Sequence, residues 1–262
     1  MTSSWQPERT GDGSLTLRCP RTGALAHNEA GAWSEAWARY AEVTGLPERA
    51  AAGGTIRLLD VGTGLGWNIA AALWALRGSD ARLEILSLEL DVEVVRQALA
   101  LHAAGSLGQK ERYALTADLL GAASRRPGER TEDDRGNGLT LLVGDGRETL
   151  PAAPQQSFDV VFLDPFAPGE DPPLWEARFL AEVARRMAPG AILSTYTASL
   201  TVRTRLAAAG LLVGQGPRML GKAEGTLASP DLVLPDLPER TARKLARRLS
   251  RLEGAKEGPW DT

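Results

Sequence analysis

The sequence predicts an α/β fold: a mostly parallel sheet with helices on both faces, a final antiparallel strand, and a small N-terminal β/α extension. Three observations predict it. From residue 55 onward, short apolar runs alternate with stretches of helical periodicity, the pattern that winds a parallel sheet. Glycines and acids collect just after the apolar runs, where such sheets bind their ligands. The chain of 262 residues, 43% of them hydrophobic, has the length and the apolar content for one large domain.

Residues 1–48 form the extension. "GDGS" is a turn signal and "SLTLRCP" beside it reads as a strand. Residues 30–44 carry Trp33, Trp37, Tyr40 and Thr44 on one stripe, a helix turning its aromatics inward. "PERAAAGG" reads as a loop. Residues 49–230 form the main domain. "TIRLLDVG" is its first strand and "WNIAAALWALRG" a helix closed by glycine. "ARLEILSLEL" and "DVEVVRQALALHAAG" repeat the pair. Residues 105–138 are polar and irregular, which predicts a flexible insertion. "LTLLVGD" and "SFDVVFLDPF" are the third and fourth strands. "PPLWEARFLAEVARRMAPG" is a helix started by prolines and closed at Pro189-Gly190. "AILSTYT" is the fifth strand and "SLTVRTRLAAAG" a helix. "LLVGQGP" and "GTLAS" form a closing antiparallel pair. Residues 231–262 are a basic helix and tail.

The net charge of −3 is unevenly spread. "RTARKLARRLSRL", residues 240–252, carries +6 with no acid, so the remainder carries −9. Leu245, Leu249 and Leu252 lie at helical spacing, so the basic residues form the outer face of an amphipathic helix. That face is either simply solvated or a contact for a phosphate backbone. A single cysteine, Cys19, excludes an internal disulfide and fits a reducing cytoplasm. Two histidines, His27 and His102, with that one cysteine make no zinc site, so no metal is expected. No signal segment and no run of about 20 apolar residues is present, which predicts a cytoplasmic protein without a membrane partner.

The stretch "LLDVGTGLGWN", residues 58–68, sets an acid and three glycines after the first strand. A phosphate-cradling loop needs Gly-Lys-Ser/Thr, and Trp67 and Asn68 stand there instead. The dinucleotide fingerprint fails too, since its third glycine would fall on Trp67 or Ile69. What remains is Asp60, Gly62, Gly64 and Gly66, which resembles the first motif of class I S-adenosylmethionine-dependent methyltransferases. That ligand has no pyrophosphate but carries an ammonium and a sulfonium, so acids near the turn suit it. Glycines let the backbone pass close to it. Glu89, ending the second strand, can accept both ribose hydroxyls. Asp145, after the third, can accept from the adenine amine.

"FLDPFAP", residues 162–168, ends the fourth strand. Asp164-Pro165-Phe166 resembles the Asp/Asn-Pro-Pro-Tyr/Phe motif of methyltransferases that act on exocyclic amines. A carboxylate there can take hydrogens from the amine, and an aromatic ring can stack on the base that bears it. Over residues 25–230 the chain resembles, more specifically, the methyltransferase part of the bifunctional 5-methylaminomethyl-2-thiouridine biosynthesis proteins. The likeness rests on Asp164, Phe166, Ala167, Pro168, Trp175, Pro189, Gly190, Thr195 and Thr197, with "GAWSEA", "VGTGLGWN" and "GKAEGTLAS". Pro165 stands where the family has glycine, and Lys222-Ala223-Glu224 where relatives are more basic. The resemblance implies a Rossmann-like class I methyltransferase sheet with S-adenosylmethionine as cofactor. It implies tRNA as partner and methyl transfer to the aminomethyl group of a modified wobble uridine. It makes Asp164 and Phe166 the catalytic pair and adds Asn68 and Glu35 to the cofactor-binding set. Two other readings stay open: a methyltransferase for a small amine or other acceptor, and a non-catalytic S-adenosylmethionine-binding module. An aminopropyltransferase shares the fold, but "LDPFAP" argues against it.

Overall fold

In the computed structural model, which describes residues 5–153, 157–169, 172–219 and 224–256, an eight-stranded sheet runs through the molecule. Its strands are β3 (Thr55–Val61), β4 (Arg82–Glu89), β5 (Arg130–Glu132), β6 (Gly138–Val143), β7 (Phe158–Leu163), β8 (Met187–Thr195), β9 (Leu212–Arg218) and β10 (Glu224–Ser229). They lie in the order β5-β6-β4-β3-β7-β8-β10-β9. The β6-β4-β3-β7-β8 block is parallel, and β10 enters antiparallel between β8 and β9. The short β5 is antiparallel on the opposite edge. The α/β sheet read from the sequence is therefore the observed one.

Alternate side chains of a strand serve opposite faces, and β3 serves two cores. Ile56 and Leu58 join one apolar cluster, while Leu59 and Val61 join the other. A strand buried on both faces has no polar side, which is why "IRLLDV" reads as a nearly continuous apolar run. On the first face lie α3 (Trp67–Ala75), α4 (Val92–Ala103) and α5 (Lys110–Arg125). On the second lie α6 (Gly146–Ala152), α7 (Ala177–Arg185) and α8 (Leu200–Ala208).

The N-terminal extension has no core of its own. Its hairpin, β1 (Gln6–Arg9) and β2 (Leu15–Arg18), packs Leu15 and Leu17 into the first cluster. Trp67 Nε1 donates to the Leu15 carbonyl at 2.9 Å, and Asp12 accepts from Ser34 N at 2.8 Å. The stripe read over 30–44 is a short α1 (Ala32–Glu35) continuing into a π-helix, Ala36–Glu42. Trp33, Tyr40 and Thr44 are buried as expected and Trp37 is half-buried, but Arg39 is buried with them.

Three local expectations are corrected. Residues 105–138 are not an irregular loop, because α5 occupies sixteen of them. Tyr113, Thr116, Leu119, Leu120 and Ala123 give it a buried stripe, and the Tyr113 hydroxyl donates to the Leu65 carbonyl at 2.6 Å, bracing the glycine turn. The polar run that masked this helix lies at and beyond its C-terminal end. "PERAAAGG" is largely helical, as α2 (Leu46–Ala52) with Pro47 in its first turn. The long helix expected after Pro172 is a 3-10 turn, Pro172–Trp175, followed by α7, which ends at Arg185. Pro189 and Gly190 fall inside β8. At the C-terminus, α9 (Glu239–Lys256) buries Leu245 and packs on α8, leaving Arg240, Lys244, Arg247 and Arg251 exposed.

Candidate active site

The strand order reverses at β3, between β4 and β7, so the sheet opens a crevice beyond the carboxyl ends of these strands. A cavity of about 930 Å³ occupies it. Gly62, Gly64, Glu89 and Asp145 line one part; Asp164, Phe166 and Tyr196 line another. The N-terminal hairpin and the segment after it form the outer wall, through Trp5, Arg18 and His27.

The glycine turn is built by close backbone contact. Gly62 has φ +92°, and a Cβ there would stand 2.7 Å from the Asp164 carbonyl oxygen. Only glycine lets β3 and β7 end this near one another. Gly64 has φ +51° with open space where its Cβ would point, and its N–H donates to Glu89 Oε2 at 2.7 Å. The other oxygen of Glu89 accepts from Asp91 N at 2.9 Å. Glu89 is half-buried, and burial pushes its carboxyl up to about 7 against the pull of these two N–H groups.

Asp164 is held between two donors. Tyr40 Oη donates to its Oδ1 at 2.5 Å, and Asn68 Nδ2 to its Oδ2 at 2.8 Å. Burial, with the nearby charge of Glu35, raises its carboxyl well above the ordinary range, and the two hydrogen bonds oppose this. Glu35 is itself buried, accepting from Asn28 N at 2.8 Å and lying 3.4 Å from Arg39 Nε. Phe166 stacks on Trp5 with ring centroids 6.2 Å apart and 20° between planes. Trp175 Nε1 donates to the Phe166 carbonyl at 2.7 Å, and Tyr196 Oη to that of Pro165 at 2.9 Å. The loop carrying the acid is thus fixed at successive residues.

The structure brings Gly62, Gly64, Glu89, Asp145, Glu35, Asp164 and Phe166 to one cavity and sets three expected cofactor residues apart from its wall. Asp60 is fully buried behind the turn, accepting from Ser87 Oγ at 2.7 Å, and burial pushes it up to about 7. Gly66 caps α3, and a Cβ there would meet Leu120. Asn68 is buried as a partner of Asp164 rather than a wall of the cavity. Asp145 does line the cavity, but both its oxygens are engaged by Arg147, which holds the carboxyl below its usual range. Two wall and support residues escaped the sequence. Tyr40 read only as a core aromatic, and Trp5 lay outside every motif. The "GKA" of the late segment lies outside the described residues.

The residues present suit S-adenosylmethionine. The open space at Gly64 leaves room for a ligand against the backbone, and Glu89 stands half-exposed at the end of β4. Leu88, Leu90 and Val94 give an apolar surface beside it. Acids at positions 35, 89, 145 and 164 line the cavity, and a cation bound there would favour their charged forms. Among the described residues no cluster of His, Cys, Asp and Glu could hold a metal ion, and no helix is long and apolar enough to cross a membrane.

Comparison with known proteins agrees with this geometry. The model of a family of S-adenosyl-L-methionine-dependent methyltransferases matches residues 114–231. The tRNA 5-methylaminomethyl-2-thiouridine biosynthesis bifunctional protein MnmC of Aromatoleum aromaticum is 35% identical over 207 residues, covering 77% of this chain and 32% of that protein. Its counterpart in Methylibium petroleiphilum is 34% identical over 215 residues, covering 80% and 32%. The chain spans about a third of the length of these curated relatives. The crystal structure of MnmC2 from Aquifex aeolicus superposes with a TM-score of 0.78 at 30% identity, covering 93% of this chain and 76% of that one. A glycine turn and an acid-bearing fourth strand end in one crevice, with likeness over three quarters of a solved relative, place this chain in the family of MnmC-like enzymes, methyltransferases whose cofactor is S-adenosyl-L-methionine.

Proposed function

We propose that this enzyme methylates the aminomethyl nitrogen of a modified wobble uridine in tRNA. The observation that carries the reading is Asp164, a partly exposed carboxylate at the cavity wall, 2.7 Å through its carbonyl from where a Cβ of Gly62 would stand. That close backbone approach supports reading the Asp164 carboxyl as a proton acceptor near the cofactor turn. The names of the bifunctional relatives point to the same nucleoside.

S-adenosyl-L-methionine supplies a methyl group on a positively charged sulfur. Glu89 would accept the ribose hydroxyls, and the backbone of Gly62 and Gly64 would leave room for the amino-acid portion. Asp145, whose oxygens Arg147 already engages, would hold the turn beside the adenine. The acceptor is an ammonium near neutral pH, without a lone pair. Asp164 binds it, takes one proton and aims the freed amine. With the cofactor bound, the nitrogen–methyl bond would form as the sulfur–methyl bond breaks, the product leaving as a secondary ammonium, and Asp164 would return its proton to water. Phe166, backed by Trp5, offers an aromatic face for the base. The exposed cations of α9 suit the phosphate backbone. Arg248 Nη1 donates to Thr201 Oγ1 at 3.0 Å, which tethers the helix to the first turn of α8, on the edge of the sheet where the cavity lies.

Nucleoside mass spectrometry of tRNA from cells with and without this chain tests the acceptor. Loss of the methylated nucleoside and accumulation of its aminomethyl precursor are expected. Unchanged tRNA, with labelled methyl passing to a small amine instead, would overturn the tRNA reading. Asp164→Asn should slow single-turnover transfer by about 10²–10⁴ with cofactor affinity near normal.

A further inference from the structure

The π-helical turn Ala36–Glu42 is uncommon backbone, and its Tyr40 touches the acid of the fourth strand end. π-helical segments are rare and often mark functional sites. In an α-helix, positions five apart point about 140° away from each other. Hydrogen bonding from i to i+5 closes that angle. Here Glu35 and Tyr40, five apart, serve one site: Glu35 lines the cavity, Tyr40 donates to Asp164, and Arg39 between them turns its guanidinium to the Tyr196 carbonyl at 3.2 Å. The segment is anchored where it matters: Ser194 Oγ donates to the Arg39 carbonyl at 2.6 Å, and Thr44 Oγ1 to that of Tyr40 at 2.5 Å. Tyr40 itself is fully buried and packs its ring on Phe162 of β7, two residues before the acid, with centroids 5.3 Å apart.

We propose that Tyr40 is a positioning residue for methyl transfer: its phenol, delivered by the π-helical turn, holds the Asp164 carboxylate charged and facing the acceptor amine. This rests on the reading that Asp164 takes the amine's proton. A carboxylate largely withdrawn from water, with another acid nearby, is poorly placed to stay ionised, yet a proton acceptor must be. The groups that face Asp164 come from several elements. Glu35 of α1 and Asp60 of β3 oppose its charge, while Tyr40 and Asn68, the latter from α3, donate to it. Tyr196, after β8, spends its hydroxyl hydrogen on Pro165. Of the two donors, Tyr40 is the shorter contact. Its own ionisation is pushed well above the usual range by burial and by the charges of Asp164 and Glu35, so it stays a donor at all working pH.

The test is the pH dependence of single-turnover transfer. Tyr40→Phe should slow transfer at neutral pH about tenfold or more. It should also move the acidic limb of the profile upward by roughly one pH unit, because the acid loses the donor that favours its charged form. Placing 3-fluorotyrosine at position 40 keeps the packing and strengthens the donor, so the limb should move downward. That variant decides the matter should Tyr40→Phe fold poorly. Cofactor affinity and thermal midpoint serve as controls. A limb that stays put in both variants, with transfer slowed equally at every pH, would reduce Tyr40 to a packing residue. A readout independent of the acceptor is titration of the carbon-13-labelled Asp164 carboxyl by NMR, where the same opposite displacements are expected. If Asp164→Asn transfers methyl as fast as the unaltered enzyme, the role of Asp164 fails, whatever Tyr40 does to its titration.

Discussion

Replacing Glu89 with glutamine removes a charge and keeps the size. In the protein both carboxylate oxygens accept backbone N–H groups, from Gly64 at 2.7 Å and Asp91 at 2.9 Å. An amide offers one oxygen, so its NH₂ must face one of those donors. The half-exposed position lets water relieve part of that conflict, and about 1 kcal/mol of stability should be lost. The larger effect is on the ligand. A hydrogen bond to a charged group contributes about 1.5–3 kcal/mol, so affinity for S-adenosylmethionine should fall roughly 10- to 100-fold. The pH dependence gives a second signature. Burial raises Glu89 from 4.5 to about 7 in the free protein. A ligand that needs the carboxylate binds best above that value. Affinity should therefore decline as pH falls through 7, by up to about tenfold per unit. Glutamine cannot titrate, so the variant should be flat over the same interval. Calorimetry from pH 5.5 to 8.5 on both proteins measures each quantity. Equal affinities would remove Glu89 from the site. An unchanged slope in the variant would hand the titration to another group, of which Asp60, also near 7, is the first candidate.

Three further outcomes are expected. Asp60 is fully buried and raised from 3.8 to about 7, so its contribution to stability is present below about pH 4 and lost as pH rises through 7; Asp60→Asn should abolish up to about 4 kcal/mol of that loss, seen as denaturant midpoints that change less between pH 4 and 8 than those of the unaltered protein. Gly62→Ala would press a methyl against the Asp164 carbonyl at a positive φ, costing roughly 1–3 kcal/mol of strain; melting and transfer assays should show both stability and rate reduced, and a variant normal in both would refute the close approach. Reversing Arg247 and Arg251, both exposed on α9, should weaken tRNA binding and flatten its salt dependence by roughly 1 in slope per lost phosphate contact, while identical binding curves across a salt series would make that face merely solvated.

The sequence by itself determined the sheet and which residues stand at its carboxyl edge. Period-2 and continuous apolar runs record burial on both faces of β3, β4 and β7, and burial is a local property of each residue. Gly62, Glu89 and Asp164 were legible because each follows such a run directly, and a parallel sheet carries all those ends to one side. Helix α5 was less legible, since its buried stripe runs into a strongly polar segment and only the packing of Leu120 and Tyr113 against the glycine turn selects the helix. Tertiary structure alone decided what surrounds the acids. Asp60, Gly66 and Asn68 sit within the motif yet stand off the cavity wall: Asp60 is still inside β3 and turns to Ser87, while Gly66 and Asn68 follow the left-handed glycines into the start of α3. Tyr40 reaches Asp164 across 124 positions of chain, and a π-helical turn aims it there. No pattern in a sequence read at 3.6 residues per turn contains that contact, because the bond that makes it forms only when β7 and the N-terminal helix have packed together.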